Sequence, residues 1–418
     1  ASALNFALEA TYGTAVLPTG AIPFSENTIN TDPGLFFPEV MAGVRDSHFF
    51  PLYGEEKDVG ALGAPLFPTN GLLILVASIG HDGGALAATA GGYGVVGTPT
   101  SVPHTSTLSA PSIVGATTVQ VTSATGITAN VTIIQIDVNA PSGSPVTTSE
   151  CRLVTVVSGT TLTLDHPLNY AHLTAAPTAT VVAPFTHTII ESVVLPSLTV
   201  EKNLGNTQSL QYAGCRMNKF SLKGQASDTE AAFTADVIAQ SFAILDTPSA
   251  VSFLDETPFV FSEFTLEWNG HTLSQATNFA LDIDNGVKAI YTMNGYHQLQ
   301  FAPALKLIAQ GSFDVVWDSL DDATYGYFSQ IQSGTEAALS FSLTHPTGPG
   351  PGGAFNTGYS VELVMPLVRL GKDTIDPKAG DVISETIMYE SRRSLSTPGI
   401  AAGSIYALIN NGAYMPIG

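Results

Sequence analysis

The feature that most restricts this chain is a succession of short segments in which apolar and polar residues alternate one by one. "SEFTLEW" sets Phe264, Leu266 and Trp268 against Glu263, Thr265 and Glu267. "NFALDID" sets Phe279, Leu281 and Ile283 against Asp282 and Asp284, and "SFDVVWD" sets Phe313, Val315 and Trp317 against Asp314 and Asp318. "ALSFSLT" and "YSVELV", the latter carrying Glu362, continue the pattern. Successive side chains of a strand point to opposite faces, so period two with one apolar side predicts antiparallel strands with one face on a core and one in water.

The "DIDNG" of Asp282–Gly286 invites comparison with a calcium loop, which needs oxygen ligands at positions 1, 3 and 5, glycine at 6 and an acid at 12. Counted from Asp282, position 6 is Val287 and position 12 is Met293; counted from Asp284, position 12 is Gly295. The register fails both ways. The segment reads instead as a strand ending in an Asn285-Gly286 turn.

The 418 residues are 44% hydrophobic but only 12% charged, and 35 acids against 14 bases give a net charge of −21. The longest basic run is Arg392-Arg393, which excludes a tight, groove-reading nucleic-acid binder. Low charge in a large soluble chain fits a subunit that buries much of its surface against neighbours, because interface cores are depleted in charge. Two cysteines, Cys151 and Cys215, are too few for a disulfide framework and are expected as free thiols. The opening "ASALNFALEA" lacks the basic start and long apolar stretch of a signal peptide. "GLLILVASIG" is about half the ~20 residues that span a bilayer and predicts a buried helix over 69–80, capped by Thr69 or Asn70 and stopped at Gly80.

Between Asp82 and Asp137 there is no charged residue, and Gly, Ala, Ser, Thr and Pro dominate the first half of that stretch. It reads as a linker into a small all-β insertion, in which Ser158-Gly159 between two β-branched runs marks a hairpin. "GYGVVG" (92–97) copies the glycine spacing of a dinucleotide loop, but Pro99 and Pro103 follow where a helix should start. Asp165, His166 and His172 lack the rest of a zinc set and read as surface residues. In "SLDDATYGYFSQIQSG", Ser319 and Asp322 have capping-box spacing before a helix that Gly334 ends, so Asp318, Asp321 and Asp322 read as cap partners rather than a metal cluster. No catalytic motif or cofactor loop appears, and an enzyme is not expected.

Taken in order, these segments resemble the tail tube proteins of long-tailed, siphovirus-like bacteriophages. The likeness runs from "EATYGTAVLPTGAIPFSENT" through "LPSLTVEKNLG", "LQYAGCRMNKFSLKGQ", "EAAFTADVIAQS" and "FSEFTLEWNG". It continues in "FALDIDNGV", "GSFDVVWDSLDDATYGYF", "VELVMPLVRL" and "DVISETIMYES". The resemblance implies a mainly β fold, an antiparallel β-sandwich or half-barrel with flanking helices. It divides the chain into a tail tube domain over 1–97, with an extended loop 34–68 and the helix 69–80, a linker and inserted all-β domain over 98–184, and the rest of the tube domain over 185–418. It also implies rings, usually hexameric, stacked into a tube through which double-stranded DNA and the tape-measure protein pass without specific binding. Terminator and tail-tip proteins would meet the tube ends, with the protein in the virion tail after assembly in the host cytoplasm, and with no cofactor and no membrane insertion.

A conduit must hold DNA without gripping it, and a wall of carboxylates gains nothing from counterion release. The candidate lumen lining is therefore Asp236, Glu263, Glu267, Asp282, Asp284, Asp314, Asp318 and Glu362. Asp46, Glu55, Glu56 and Asp58, in the 34–68 excursion, are candidates for contacts between subunits or rings. Two other readings of the same strands are a secreted or surface carbohydrate-binding, adhesive β-domain protein, and a glycoside hydrolase with two carboxylates in one cleft.

Overall fold

The computed structural model describes residues 4–9, 11–18, 20–37, 51–68, 70–82, 105–127, 129, 133–136, 150–164, 167–168, 171–174, 180–182, 185–205, 207–225, 230–249, 257–293, 297–316, 327–345, 359–375, 384–393 and 403–411. Within these the chain is mainly β and antiparallel, with helices at Leu72–Ile79 and Tyr327–Ser333.

Two long strands organise the sheets by changing partners along their length. The first half of Gln208–Gln225 pairs with Leu198–Leu204 and Ser241–Leu245, and its second half with Ala232–Ala239 and Ala276–Asp284. The switch falls at Gly214, whose φ of +67° is open to glycine, and a Cβ there would lie 2.6 Å from the Gln240 side chain. Ser360–Ile375 behaves likewise, pairing first with Tyr406–Asn411 and then with Ser384–Ser391. Its pairing with Glu336–Thr344 shifts register between Met365 and Val368, the stretch that holds Pro366. Proline cannot donate to a ladder and is tolerated where pairing breaks.

The alternating segments form strands with the expected faces. Phe279, Leu281 and Ile283 of Ala276–Asp284 are buried, as are Phe313 and Val315 of Ile308–Val316. Phe279 stacks 4.1 Å from Phe264 and lies 5.1 Å from Phe341, although its strand is hydrogen-bonded to neither of theirs. The rings therefore meet across the core between two facing layers, the packing of a sandwich. The Asn285-Gly286 turn is present, with Gly286 at φ +52° and its N–H donating 2.8 Å to Asp284 Oδ1.

The helix Leu72–Ile79 is buried at all eight positions, which its uniformly apolar sequence requires. Its N-cap is Gly71 with no side-chain cap; Asn70 instead donates to the Ala21 carbonyl, and Thr69 lies outside the described residues. Strands between 105 and 182 form a separate six-stranded sheet with a core of its own, including Val121, Ile134, Val154 and Leu162. Gly159 forms the expected hairpin turn. His172 departs from the surface reading. It is fully buried, and its backbone exchanges hydrogen bonds with Ser112 of 3.0 and 2.9 Å. Asp165 and His166, the 92–97 glycines, and Ser319, Asp321 and Asp322 lie outside the described residues, as does the side chain of Cys151. Cys215 is a free, buried thiol whose pKa burial pushes up.

Candidate functional site

The candidate acids do not share one surface. Strand pairing places Asp236 and Asp284 on either side of Lys219. Two residues along the same face, a polar row crosses seven strands: Thr234, Ser221, Asp282, Gln310, Glu390, Arg369 and Glu336 stand in register. Ser221 donates to Asp282. Asn278 stands opposite Asp314 and donates 3.1 Å to its carboxylate. Asp236 is exposed, and Asp282, Asp284 and Asp314 are half-buried among these partners. Lys219 and Arg369 are each flanked by two acids, so the face combines an excess of carboxylates with bases that are already neighboured by charge.

Glu267 and Glu362 belong to the facing layer. Glu267 is opposite Ser340 and Glu362 opposite Ser342 on the intervening strand Glu336–Thr344. Burial, with Glu267 adding its charge, raises the pKa of Glu362. The rings of Phe264, Phe279 and Phe341 fill the space between the layers, so these two acids and the aspartates point away from a common core in opposite directions. Glu263 has another task. It sits in a 3-10 turn, Phe261–Glu263, where its carboxylate accepts from the Val260 N–H at 3.0 Å and lies 2.8 Å from His345 Nδ1. His345 in turn stacks on Phe259. Alternation had extended the strand one residue too far. Asp318 lies outside the described residues.

In the 34–68 excursion, Asp46 is outside the described residues, Glu55 is exposed and Glu56 is half-buried. Asp58 is buried, accepts 2.6 Å from Thr31 Oγ1, and has its pKa raised to about 6 by burial, with Glu56 adding to the rise. What acid-focused reading missed is an exposed apolar strand pair. Leu35–Phe36 and Leu52–Tyr53 form a small hairpin on which Phe36, Phe37 and Tyr53 are 49%, 56% and 64% exposed. The "GLFFPEV" run was the available signal, since adjacent large apolar residues are rarely left in water without use. The hairpin root is pinned: Tyr291 donates to the Glu56 carbonyl at 3.0 Å, and the Glu56 N–H donates to His297 O at 2.9 Å.

Among the described residues, no three of His, Cys, Asp and Glu gather as metal ligands, and no helix is long and apolar enough to cross a membrane. Charge spread along sheet faces and exposed apolar side chains on a small strand pair are the marks of a structural β-protein that works through its surfaces. The family model of the phage tail tube protein matches residues 1–387, and the chain belongs to that family. It is a structural protein of the phage tail. No individual curated protein matches it.

Proposed function

We propose that copies of this chain join edge to edge into rings, six to a ring as the family resemblance suggests, and that stacked rings form the conduit for the genome. The wall of that conduit is the face that carries Asp236, Asp282, Asp284 and Asp314. Glu267 and Glu362, on the facing layer, then lie on the outer side. The part of the polar row formed by Thr234, Ser221, Asp282, Gln310 and Glu390 carries this reading, because a channel wall needs a broad polar face; at Arg369 and Glu336 the row passes onto the strands of the facing layer. Its acids repel phosphate, and at a Debye length of about 8 Å that repulsion fades within the channel. Flanking acids on Lys219 and Arg369 reduce what each base gains from binding phosphate and releasing counterions. DNA and the tape-measure protein would pass without specific binding, and terminator and tail-tip proteins would meet the ends.

The chain divides in this reading into a tube domain over 1–97 and 185–418 and an inserted domain over 98–184, the latter carried outside the tube. The separate core of the six-stranded sheet supports that division. The test is to reverse Asp282, Asp284 and Asp314 to Lys in assembled particles. Tubes should form while DNA ejection slows or stalls, and reversing Glu267 and Glu362 should leave ejection unchanged. Normal ejection from the aspartate-reversed particles would remove the lumen assignment.

A further inference from the structure

The sheet built on the N-terminal strand has two margins, and they differ. Gly20–Ile22, Leu4–Leu8, Leu198–Leu204, the first half of Gln208–Gln225 and Ser241–Leu245 pair in that order. At the first margin Gly20–Ile22 is buried, and Asn70 Nδ2 donates 3.2 Å to the Ala21 carbonyl. At the second, the ladder of Ser241–Leu245 runs to the long strand alone among the described residues. The chain that follows does not turn back along this margin. Ser249 N–H donates 2.7 Å to Glu201 Oε1, and the Ser249 carbonyl accepts from Asn5 Nδ2 at 3.5 Å, on strands two and three places further in. Glu201 and Asn5 alternate with the core residues Val200, Leu4 and Phe6, so the chain leaves across the reverse side and the margin stays open.

An edge strand presents alternate N–H and C=O groups to whatever lies beside it, and native sheets blunt such edges with charge, proline or a bulge. "SFAIL" holds no charge and no proline, and its register runs without a shift from Ser241 opposite Ala213 to Leu245 opposite Ser209. The core side of this margin is also open. Phe242 stands opposite Tyr212, with ring centroids 5.4 Å apart, and Ile244 stands opposite Leu210, which packs against the core. Yet Ile244 is 60% exposed, and Leu204, on the same side through its pairing with Gln208, is 48% exposed. The apolar layer therefore runs out to the last strand with no neighbour to cover it. One more strand would supply both the missing half of the ladder and side chains over Ile244.

We propose, resting on the edge-to-edge reading above, that Ser241–Leu245 is the edge at which a second copy adds a strand, so that this sheet and its apolar layer are completed across the subunit boundary. The occupant is a second copy because the chain belongs to the tail tube family, and a tube sets many copies of one subunit side by side. Main-chain bonds along the strand give such a joint its strength, and the cover over Ile244 and Leu204 gives it its register. The acids of the polar row take no part in it.

The test compares the full chain, unassembled and as rods grown from the purified protein alone, by hydrogen–deuterium exchange read at single amides. Those amides of Ser241–Leu245 that point away from the long strand should exchange at least tenfold more slowly in rods. Such rods hold no other protein, so the protection comes from another copy. Ile244→Lys, at a position open to water, should leave Tm within about 2 °C and cut rod yield at least tenfold, while Ile244→Val keeps rods. If Ile244→Lys fails to fold, the exchange of the wild-type chain decides alone. Rods without slower exchange at these amides, or wild-type rod yield from folded Ile244→Lys, overturn the edge assignment and leave the ring reading standing. A wild-type chain that forms neither rings nor rods removes the ring reading and this edge with it.

Discussion

Asn285 and Ser78 are joined by a buried hydrogen bond: the Asn285 amide donates 2.9 Å to the Ser78 carbonyl in the last turn of the helix Leu72–Ile79. The same amide donates 3.0 Å to Met217 O on the long strand. A turn residue thus supplies two carbonyls, one of them at a helix end, where acceptors have no intrahelical partner. Asn285→Ala should destabilise the chain by about 2–4 kcal/mol, since each orphaned buried acceptor costs about 1–3 kcal/mol. Urea unfolding reads this, and a loss within ~0.5 kcal/mol would show that the amide is dispensable.

Glu9 performs the same service near the N-terminus. Its buried carboxylate accepts from Gly13 N, Ser197 Oγ, Thr199 Oγ1 and Gly214 N at 2.7–2.9 Å. Two of these donors are backbone groups, and Gly214 is the point at which the long strand changes sheets. Glu9→Gln turns an amide donor towards donors and should cost about 2–4 kcal/mol, in the range of breaking charge-assisted bonds. Limited proteolysis should show faster cleavage in residues 11–16. Unchanged stability and cleavage together would refute the role.

Strand existence and core side were legible in the sequence because alternation is a local signal. Phe279, Leu281, Ile283, Phe313 and Val315 all face the core as their spacing required. Alternation tells which side of its own strand a residue takes, but not which layer the strand joins. Asp282 and Glu267 therefore looked equivalent, although the aromatic stack of Phe264 and Phe279 separates their faces. The tertiary partners of Glu263 and Asn285 were not legible for a related reason, because His345 and Ser78 are 82 and 207 residues away. Asp58 was a candidate for contacts between subunits or rings, and pairing with Thr31 on one side and Ala239 on the other buries it.

The exposed rings of Phe36 and Tyr53 separate folding from assembly. Phe36 and Tyr53 are about half exposed or more, so Phe36→Ser with Tyr53→Ser should change monomer stability by no more than about 0.5 kcal/mol. If these rings dock on another copy, the double variant loses buried aromatic area and its polymerisation should fall at least tenfold, the equivalent of about 1.4 kcal/mol. Sedimentation and electron microscopy of rods measure it. Wild-type rod formation by a stably folded double variant would exclude Phe36 and Tyr53 from the interface.

Asp58 makes stability depend on pH in a direction opposite to that of most surface acids. Its folded pKa of about 6 lies above the ordinary 3.8, so the native state holds the proton more tightly than the unfolded chain. Protonation therefore adds stability as pH falls from about 6 towards 4, and above 6 the buried, ionised group is a cost. The groups facing it are Thr31, which donates to it, and Glu56, whose charge opposes its ionisation; Tyr212 and Tyr291 in turn have raised pKa values, due first to burial with Asp58 contributing. Asp58→Asn keeps the acceptor for Thr31 without the charge. It should be more stable than wild type by about 1–3 kcal/mol at pH 8, with the difference shrinking to near zero by pH 4. Comparing the two proteins at each pH cancels the other acids, whose titration is common to both. A difference that stays flat from pH 8 to pH 4 would mean that Asp58 titrates normally, and that the turn from the hairpin root into Lys57–Pro65 stores no cost of a buried charge.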